Sequence, residues 1–229
     1  PANIISLSRK YLTNPVRIAI GSTTAAADNI RQEIVKTNDA QKYGELMKQL
    51  KERDGSVLIF VKTKFGAERL AAKLNKENQS ADAIHGDLRQ AKRERVIANF
   101  RKMKSRILVA TDIAARGLDI PHIESVINYD LPQCPEDYIH RIGRTARAAA
   151  TGTAITFVNE KEQGKFHRIE TFIEREIPKA ALPEQLGPGP AYDPGVGERR
   201  GGRGGRNGSG RGGRNRGRDR GGDSRPALE

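Results

Sequence analysis

Three arginines recur at every third position in one short stretch of this sequence: Arg141, Arg144 and Arg147. Pro135, followed by two acidic residues, is typical of the first turn of a helix. A helix that begins there and continues to the last arginine carries all three on one broad face. Arginine stays charged at physiological pH and forks onto phosphate oxygens, so this face suits a transferring phosphoryl group. The alternative is a solvated basic face that Tyr138 and Ile142 anchor in the core.

The elements that must position this stretch alternate between apolar strands and helical patterns. Strands are predicted at 30–36, 57–61, 81–84, 106–110, 125–129 and 153–158. Besides the arginine helix, helices are predicted at 39–52, 67–75, 90–102 and about 162–174. This alternation predicts an α/β fold, a doubly wound parallel sheet with right-handed crossovers and helices on both faces. The predicted sheet core is Val57, Leu58, Ile59, Phe60, Ile107, Leu108, Val109, Val126, Ile127, Ile155 and Phe157.

Polar residues follow the predicted strands where each strand ends. They are Thr63, His85, Gly86, Asp87, Thr111, Asp112 and Asp130. Open parallel sheets bind ligands beyond the carboxyl ends of their strands. We therefore expect the functional site at this edge. Asp112 has an alternative role as the N-cap of a short helix.

Composition and charge narrow the class of partner. The chain of 229 residues carries 41 Lys and Arg against 28 Asp and Glu, a net charge of +13, which favours a nucleic acid over a membrane surface. No apolar run approaches the roughly 20 residues of a membrane helix. Cys134 is the only cysteine, which excludes an intrachain disulfide and a cysteine zinc site and fits a cytoplasmic location.

The sequence after Pro178 changes in composition. Four prolines follow closely, and residues 198 to 229 then contain ten arginines against four acidic residues, with four Arg-Gly-Gly triplets. Such a segment cannot form an apolar core, so we predict a disordered tail at 179–229 that binds RNA. The globular domain is predicted at 30–178, and a flexible linker at 22–29.

Four stretches resemble conserved motifs of the DEAD-box RNA helicases, in the order that this family has them. They are 57–63 for motif four, 85–93 for the segment before motif five, 110–120 for motif five and 140–147 for motif six. The resemblance implies a RecA-like domain, the second of two in an ATP-dependent RNA helicase. It also implies that residues 1–21 are a remnant of the first domain and that Pro1 begins a fragment. The Thr-Ala-Arg-Ala sequence shortly after Gly143 is similar to the corresponding sequence of bacterial members.

The resemblance also implies roles for single residues at an ATP site. Arg144 and Arg147 would be arginine fingers on the γ-phosphate. Gly117 and Asp119 would contact the nucleotide, with the Asp119 carboxylate accepting from the ribose hydroxyls; the alternative is a turn aspartate before a proline. Ala146 stands where most members have glycine, and a methyl group is expected to be tolerable there on a helix.

Two further sets of residues follow from the resemblance. RNA phosphates would be contacted by Thr63, Gly86, Arg93, Thr111 and Arg116. The two RecA-like domains would be coupled by Gln90, Asp112, His140 and Arg141. His85, a lone histidine at a strand end, is expected to be structural, and Lys62 stands where many members carry asparagine.

The sequence contains neither a Gly-x-x-x-x-Gly-Lys-Ser/Thr phosphate loop nor an Asp-Glu-Ala-Asp magnesium site. We therefore expect ATP as the cofactor of the intact enzyme, with Mg²⁺ held by the N-terminal RecA-like domain, no metal site here and no ATPase activity from this chain alone. The expected partners are RNA, that domain, and ribosomal or RNA-degradation assemblies. The alternative is a non-enzymatic RNA-binding or annealing module.

Overall fold

The computed structural model describes residues 2–13, 16, 29–118, 120, 123–146 and 151–180. Its helices are α1 (Ala2–Tyr11), α2 (Lys42–Lys51), α3 (Lys64–Lys76), α4 (Gln90–Arg101), α5 (Asp112–Ala115), α6 (Pro135–Ile142) and α7 (Gln163–Phe172). Its strands are β1 (Ile30–Lys36), β2 (Val57–Phe60), β3 (Ala81–Ile84), β4 (Ile107–Ala110), β5 (Ser125–Asn128), β6 (Gly152–Val158) and β7 (Lys179–Ala180). A 3₁₀ turn, Glu160–Glu162, precedes α7.

In the described part of the chain, the seven strands form one sheet in the order β3-β4-β2-β5-β6-β1-β7, and every pairing is parallel. Successive side chains of a strand point to opposite faces, so each face has its own core. Val57 and Ile59 pack with α2 and α3 on one face, whereas Leu58 and Phe60 pack with α4 and α5 on the other. The predicted doubly wound α/β fold is confirmed, and every residue of the predicted sheet core is buried.

Local side-chain hydrogen bonds explain why two helices begin elsewhere than predicted. The Asn38 side chain accepts a hydrogen bond from the Gln41 amide (2.9 Å), so residues 39–41 form a turn and α2 begins at Lys42. The Thr63 hydroxyl accepts from the Gly66 amide (3.0 Å), so α3 begins at Lys64, three residues before the predicted start.

The arginine helix is shorter than predicted. Helix α6 ends at Ile142 with Gly143 as its C-cap. Arg144 therefore lies beyond the helix, and the prediction of one helical face for the three arginines is wrong. Thr145 instead pairs with Ile123 in an isolated parallel bridge, and its hydroxyl donates to the carbonyl oxygens of Ile123 and Glu124.

Ala146 corrects a second expectation. Its φ is +56°, in the left-handed region, so its methyl group does not lie on a helix. The carbonyl of Ala146 accepts a hydrogen bond from the Asn29 side chain (3.0 Å), and Gly152 lies so close to Thr145 and Ala146 that a Cβ there would overlap them. Tertiary contacts therefore hold this alanine in a conformation that favours glycine.

The predicted domain boundary at residue 178 is two residues too early. Strand β7 pairs with Ile34 and Val35 of β1, and the Lys179 ammonium lies 2.6 Å from a Glu176 carboxylate oxygen. These contacts make residues 179 and 180 part of the sheet. Helix α1 lies in the segment predicted as a remnant of the first domain, whereas residues 22–28 of the predicted linker and most of the tail lie outside the described residues.

Among the residues that the structure describes, no helix has the length and apolar character needed to cross a membrane.

Candidate phosphate-binding edge of the sheet

Four neighbouring strands bring the predicted polar residues to one edge. Strands β3, β4, β2 and β5 are adjacent and parallel, so the segments after them lie side by side. These segments carry Gly86, Thr111, Thr63 and Asp130 at the carboxyl ends of the strands. The sequence prediction of a common edge is confirmed for these positions.

Arg141 and Asp112 form the buried centre of this edge. Arg141 is 2% exposed, and its Nε and Nη2 lie 2.6 and 2.8 Å from the two carboxylate oxygens of Asp112. Its Nη1 donates to the backbone oxygen of Asp130 (2.6 Å) and to the Asn128 side chain (3.3 Å). The guanidinium also lies 4.9 Å from the ring centroid of Phe60.

The Arg141 side chain is bound within this domain, and its role in coupling two domains stays a prediction. Its donors are taken up inside this domain, where they join the loop after β4 to helix α6 and to the loop after β5. Asp112 is also not the N-cap of α5: Thr111 occupies that position, and Asp112 is the first helical residue. Both residues position the edge.

The Asp130 carboxylate accepts two hydrogen bonds at the same edge of the sheet. One carboxylate oxygen accepts from the Lys42 ammonium (2.7 Å), and the other accepts from the Lys62 amide (2.9 Å). The Lys42 ammonium also lies 4.5 Å from the ring centroid of Tyr129, and burial, with Asp130 nearby, raises the pKa of that phenol to about 12. Sequence reasoning placed Asp130 here but missed Lys42, because a buried lysine on a helix has no local signature.

Arg144 lies against the loop that follows α5. Its Nε donates to the His140 carbonyl (3.2 Å), and its Nη1 donates to the Leu118 carbonyl (3.4 Å). Gly117 begins this loop with a φ of +74°, which only glycine adopts readily. The structure thus places one predicted finger beside one predicted nucleotide-contacting residue. Arg147 and Asp119 lie outside the described residues.

The predicted phosphate contacts differ in how accessible they are. Thr63 is exposed, and its hydroxyl proton remains available because the oxygen is the acceptor of the α3 cap. Gly86 is exposed too, and a Cβ placed on it would meet no atom within 4 Å. Thr111 is half-buried at the start of α5, with no cap hydrogen bond from its side chain.

Two predicted RNA-binding arginines already have partners within the domain. Arg93 Nη2 donates to the Ala114 carbonyl (2.6 Å) and so ties α4 to α5. Arg116 Nη2 lies 2.7 Å from an Asp137 carboxylate oxygen in the first turn of α6. Burial raises the pKa of Asp137, but hydrogen bonds from the Cys134 thiol and from Arg116 outweigh burial and hold it below its usual value. An RNA phosphate would have to compete with Asp137 for Arg116.

The remaining predicted residues divide between surface and core. Gln90 and His140 are exposed, and the Gln90 amide donates to Glu94 (2.7 Å) on the same helix. His85 is 4% exposed, and its Nε2 lies 3.0 Å from a Glu68 carboxylate oxygen, in agreement with the expected structural role. The described ranges contain no group of three or more His, Cys, Asp or Glu that could hold a metal ion.

Comparison with known proteins identifies the family. The model of the helicase conserved C-terminal domain matches residues 41–149. DEAD-box ATP-dependent RNA helicase 20 of Arabidopsis thaliana is 43% identical over 187 residues, which cover 80% of this chain and 37% of the relative. Similar proteins come from yeasts and bacteria as well as plants, and this chain spans 31% to 39% of the length of such relatives.

Two solved structures share the fold. The E. coli DEAD-box protein SrmB, solved with the regulator of ribonuclease activity A, is 30% identical with a TM-score of 0.66, over 71% of this chain and 96% of that one. S. cerevisiae Dbp5 bound to RNA and ADP BeF3 is 33% identical with a TM-score of 0.71, over 79% of this chain and 49% of that one. The chain therefore belongs to the DEAD-box family and contains its helicase C-terminal domain.

Proposed function

We propose that this chain is the second RecA-like half of an ATP-dependent RNA helicase that remodels or locally unwinds RNA. The observation that carries the proposal is the position of Arg144 beside Gly117 and Leu118, at the end of α6 and outside the helix. Its guanidinium donates to the loop after α5 that carries Gly117, whereas Thr63 and Gly86 are exposed at the carboxyl edge of the sheet. The domain would thus serve ATP through the first region and RNA phosphates through the second.

The proposed chemistry is charge stabilisation from across a cleft. ATP and its Mg²⁺ would be held mainly by the N-terminal RecA-like domain, and Arg144 and Arg147 would reach the γ-phosphate when the two domains close. Charge that develops on the phosphoryl oxygens is then neutralised, and one such arginine contributes about 10³ to 10⁵ in rate. The Asp112–Arg141 pair would keep the loops at the correct separation for this closure.

The proposed RNA contacts are to phosphates, which fix the position of a strand without reading its sequence. The net charge of +13 supports a polyanionic ligand. RNA as that ligand rests on the family, one of whose members, S. cerevisiae Dbp5, was solved bound to RNA. The same proposal has four further parts. The Arg/Gly-rich tail binds RNA, the protein is bacterial, it is located in the cytoplasm, and its partners are ribosomal or RNA-degradation assemblies.

The test joins the chain to a matching N-terminal half and compares two single variants, Arg144→Ala and Arg147→Ala. RNA-stimulated ATP turnover should fall by about 10³-fold or more in each, while RNA binding without nucleotide changes little. Lys76→Ala, at the end of α3 and far from the edge, is the control and should leave both quantities unchanged.

Three results would overturn the proposal. ATP hydrolysis by the chain alone would show that it contains a complete active site. Equal losses of turnover and RNA affinity in the two arginine variants would show that these arginines hold RNA. A fused protein that binds RNA but never hydrolyses ATP would favour a non-enzymatic binding module.

A further inference from the structure

Phe65 is a large apolar side chain that the fold leaves exposed. It lies in the first turn of α3, two residues after Thr63, and is 68% exposed. The core-facing side of the helix is formed by Ala67, Leu70, Ala71 and Leu74, which are all buried. Packing within the described domain therefore does not account for an aromatic residue at this position.

The ring borders a groove between α3 and the loop that joins β3 to α4. The groove has a volume of about 380 Å³, and its walls include Lys64, Phe65, Glu68, His85, Arg89 and Lys92. Gly86, with open space where a side chain would be, lies in the same loop. The groove is thus adjacent to two predicted phosphate contacts, Thr63 and Gly86.

The available charge in the groove is positive. Both acidic residues beside it have partners, since Asp87 pairs with the Lys64 ammonium and Glu68 with the ring of His85. Within the described part of the chain, the exposed side chains of Arg89 and Lys92 have no carboxylate within ion-pair distance. The Lys64 ammonium also lies 5.2 Å from the Phe65 ring centroid, close enough for a cation–π contact.

A flat exposed ring beside unpaired cations matches a single-stranded nucleic acid better than an acidic peptide. A peptide carboxylate uses the cations but gains little from a flat ring, whereas a base presents a π-face that stacks on one. We propose that Phe65 is a stacking platform for one base of single-stranded RNA, with Arg89 and Lys92 on the neighbouring phosphates. This inference rests on the proposed function, because it takes RNA as the ligand of this edge.

The platform adds a base contact to an edge that otherwise holds phosphates. Stacking on an aromatic ring is tolerant of sequence, because every base has a π-face. The platform would fix the position of the strand next to Thr63 without selecting a sequence. Stacking also neutralises no phosphate, so its contribution to affinity does not depend on counterion release.

The salt dependence of RNA affinity therefore distinguishes the contribution of the Phe65 ring from that of the cationic side chains. The experiment titrates the full chain with a fluorescent single-stranded RNA at several salt concentrations. Phe65→Ala should weaken binding about tenfold at every salt concentration and leave the slope of log affinity against log salt unchanged. Phe65→Tyr should retain affinity, and Phe65→Leu should lose most of it because leucine is apolar but not flat. Arg89→Ala and Lys92→Ala should each flatten the slope by about 0.7.

Two controls isolate the effect. Met103→Ala removes another exposed apolar side chain, 50% exposed and two residues beyond the end of α4, and should change nothing. An RNA with 2-aminopurine at successive positions should show quenching at one position with the unchanged chain and none with Phe65→Ala. Unfolding midpoints of all variants should match, since the changed side chains are exposed.

The outcomes distinguish this inference from the proposed function. A chain that binds no single-stranded RNA would overturn both. If Gly86→Ala weakens RNA binding while Phe65→Ala has no effect at any salt concentration, the platform is wrong and the RNA-binding edge stands. Full affinity in Phe65→Leu would also overturn the platform, because the groove would then be accepting apolar groups such as those of a protein segment.

Discussion

The guanidinium of Arg141 and the carboxylate of Asp112 meet as a two-point ion pair, 2.6 and 2.8 Å long, between residues 29 positions apart. Arg141 is 2% exposed, so the pair is shielded from water and from salt. It connects the loop after β4, which leads to Thr111 and Arg116, with the helix that precedes Arg144. The predicted RNA contacts and the predicted ATP contact are therefore held by one buried interaction.

Removal of one partner should destabilise the whole domain. Arg141→Ala leaves the Asp112 carboxylate half-buried and unpaired, so the free energy of unfolding should fall by about 3–5 kcal/mol. Arg141→Lys keeps the charge but not the fork and should lose about 2 kcal/mol. Denaturant unfolding measures both values. Arg116→Ala is the control, and because Arg116 is 62% exposed in its pair with Asp137 its effect should be much smaller than that of Arg141→Ala. Equal losses in all three variants would contradict the buried pair as the anchor.

Ala146→Gly should stabilise the protein. The φ of +56° at Ala146 costs an L-residue roughly 1–2 kcal/mol, and glycine removes that strain at a smaller entropic cost. We expect a gain of about 0.5–1 kcal/mol in the free energy of unfolding on the same principles. The matched control is Ala98→Gly on the exposed side of α4, which should destabilise by about 1 kcal/mol. A loss of stability in both variants would show that the φ at Ala146 is not strained.

Gly86→Ala should weaken RNA binding without a matching loss of stability. A Cβ at Gly86 meets no atom within 4 Å, and its φ is not in the left-handed region, so the fold should accept alanine within about 0.5 kcal/mol. The methyl group would nevertheless fill space through which an RNA phosphate approaches the backbone, and we expect about a tenfold loss of RNA affinity. Gly44→Ala, also open but on α2, which follows β1 at the other side of the sheet from β3, should leave RNA affinity unchanged. Unchanged RNA affinity in Gly86→Ala would rule out a phosphate at this position.

The Asp137 carboxylate should make a contribution to stability that disappears in acid. Its pKa is lowered, since hydrogen bonds from Cys134 and Arg116 outweigh the effect of burial. A carboxylate with a lowered folded-state pKa stabilises the protein above its unfolded pKa of about 3.9, and this stabilisation is lost as the pH falls through the folded-state value. Asp137→Asn should therefore cost about 0.5–1 kcal/mol at pH 7 and nothing well below pH 4.

Unfolding curves of the two proteins between pH 7 and pH 3 test this expectation. Glu136→Gln removes a neighbouring charge in the same turn of α6 and leaves the pair with Arg116 intact. Its effect should be smaller than that of Asp137→Asn at pH 7. A constant difference between the unchanged protein and Asp137→Asn across the pH range would contradict the assigned cause.

The sheet could be predicted from sequence because its signal is local. Strands such as β2 and β4 are buried on both faces and therefore read as unbroken apolar runs, and their alternation with helices allows few topologies. The carboxyl edge followed from the same rule, so the neighbouring positions of Thr63, Gly86 and Thr111 were predictable. Strand β7 was missed because two residues carry no pattern, and it forms only through its pairing with Ile34 and Val35.

The arrangement of the arginines could not be predicted because long-range contacts determine it. Gly143 was a local stop signal, but the regular arginine spacing favoured a longer helix. The φ of Ala146 depends on the Asn29 side chain and on the close approach of Gly152. The burial of Arg141 depends on Asp112 and on the backbone of Asp130. None of these partners is adjacent to the arginines in sequence.

Residues 198 to 229 contain ten arginines and four acidic residues, a surplus of six positive charges. We expect this segment to supply most of the RNA affinity of the isolated chain. No aromatic residue follows Tyr192, so its binding depends on arginine charge and guanidinium stacking and should weaken steeply with salt. If four to six arginines engage at once, truncation after Pro194 should flatten the slope of log affinity against log salt by roughly 3 to 4, since each phosphate contributes about 0.7.

A charge-matched control separates this role from simple solubility. Replacing the same ten arginines with lysine keeps the charge, so the salt slope should persist while the affinity falls through the loss of guanidinium stacking. Titration of a labelled single-stranded RNA at several salt concentrations compares the three proteins. An unchanged slope after truncation would show that the tail does not contact RNA, and the affinity would then have to come from the folded edge that includes Thr63, Gly86 and Phe65.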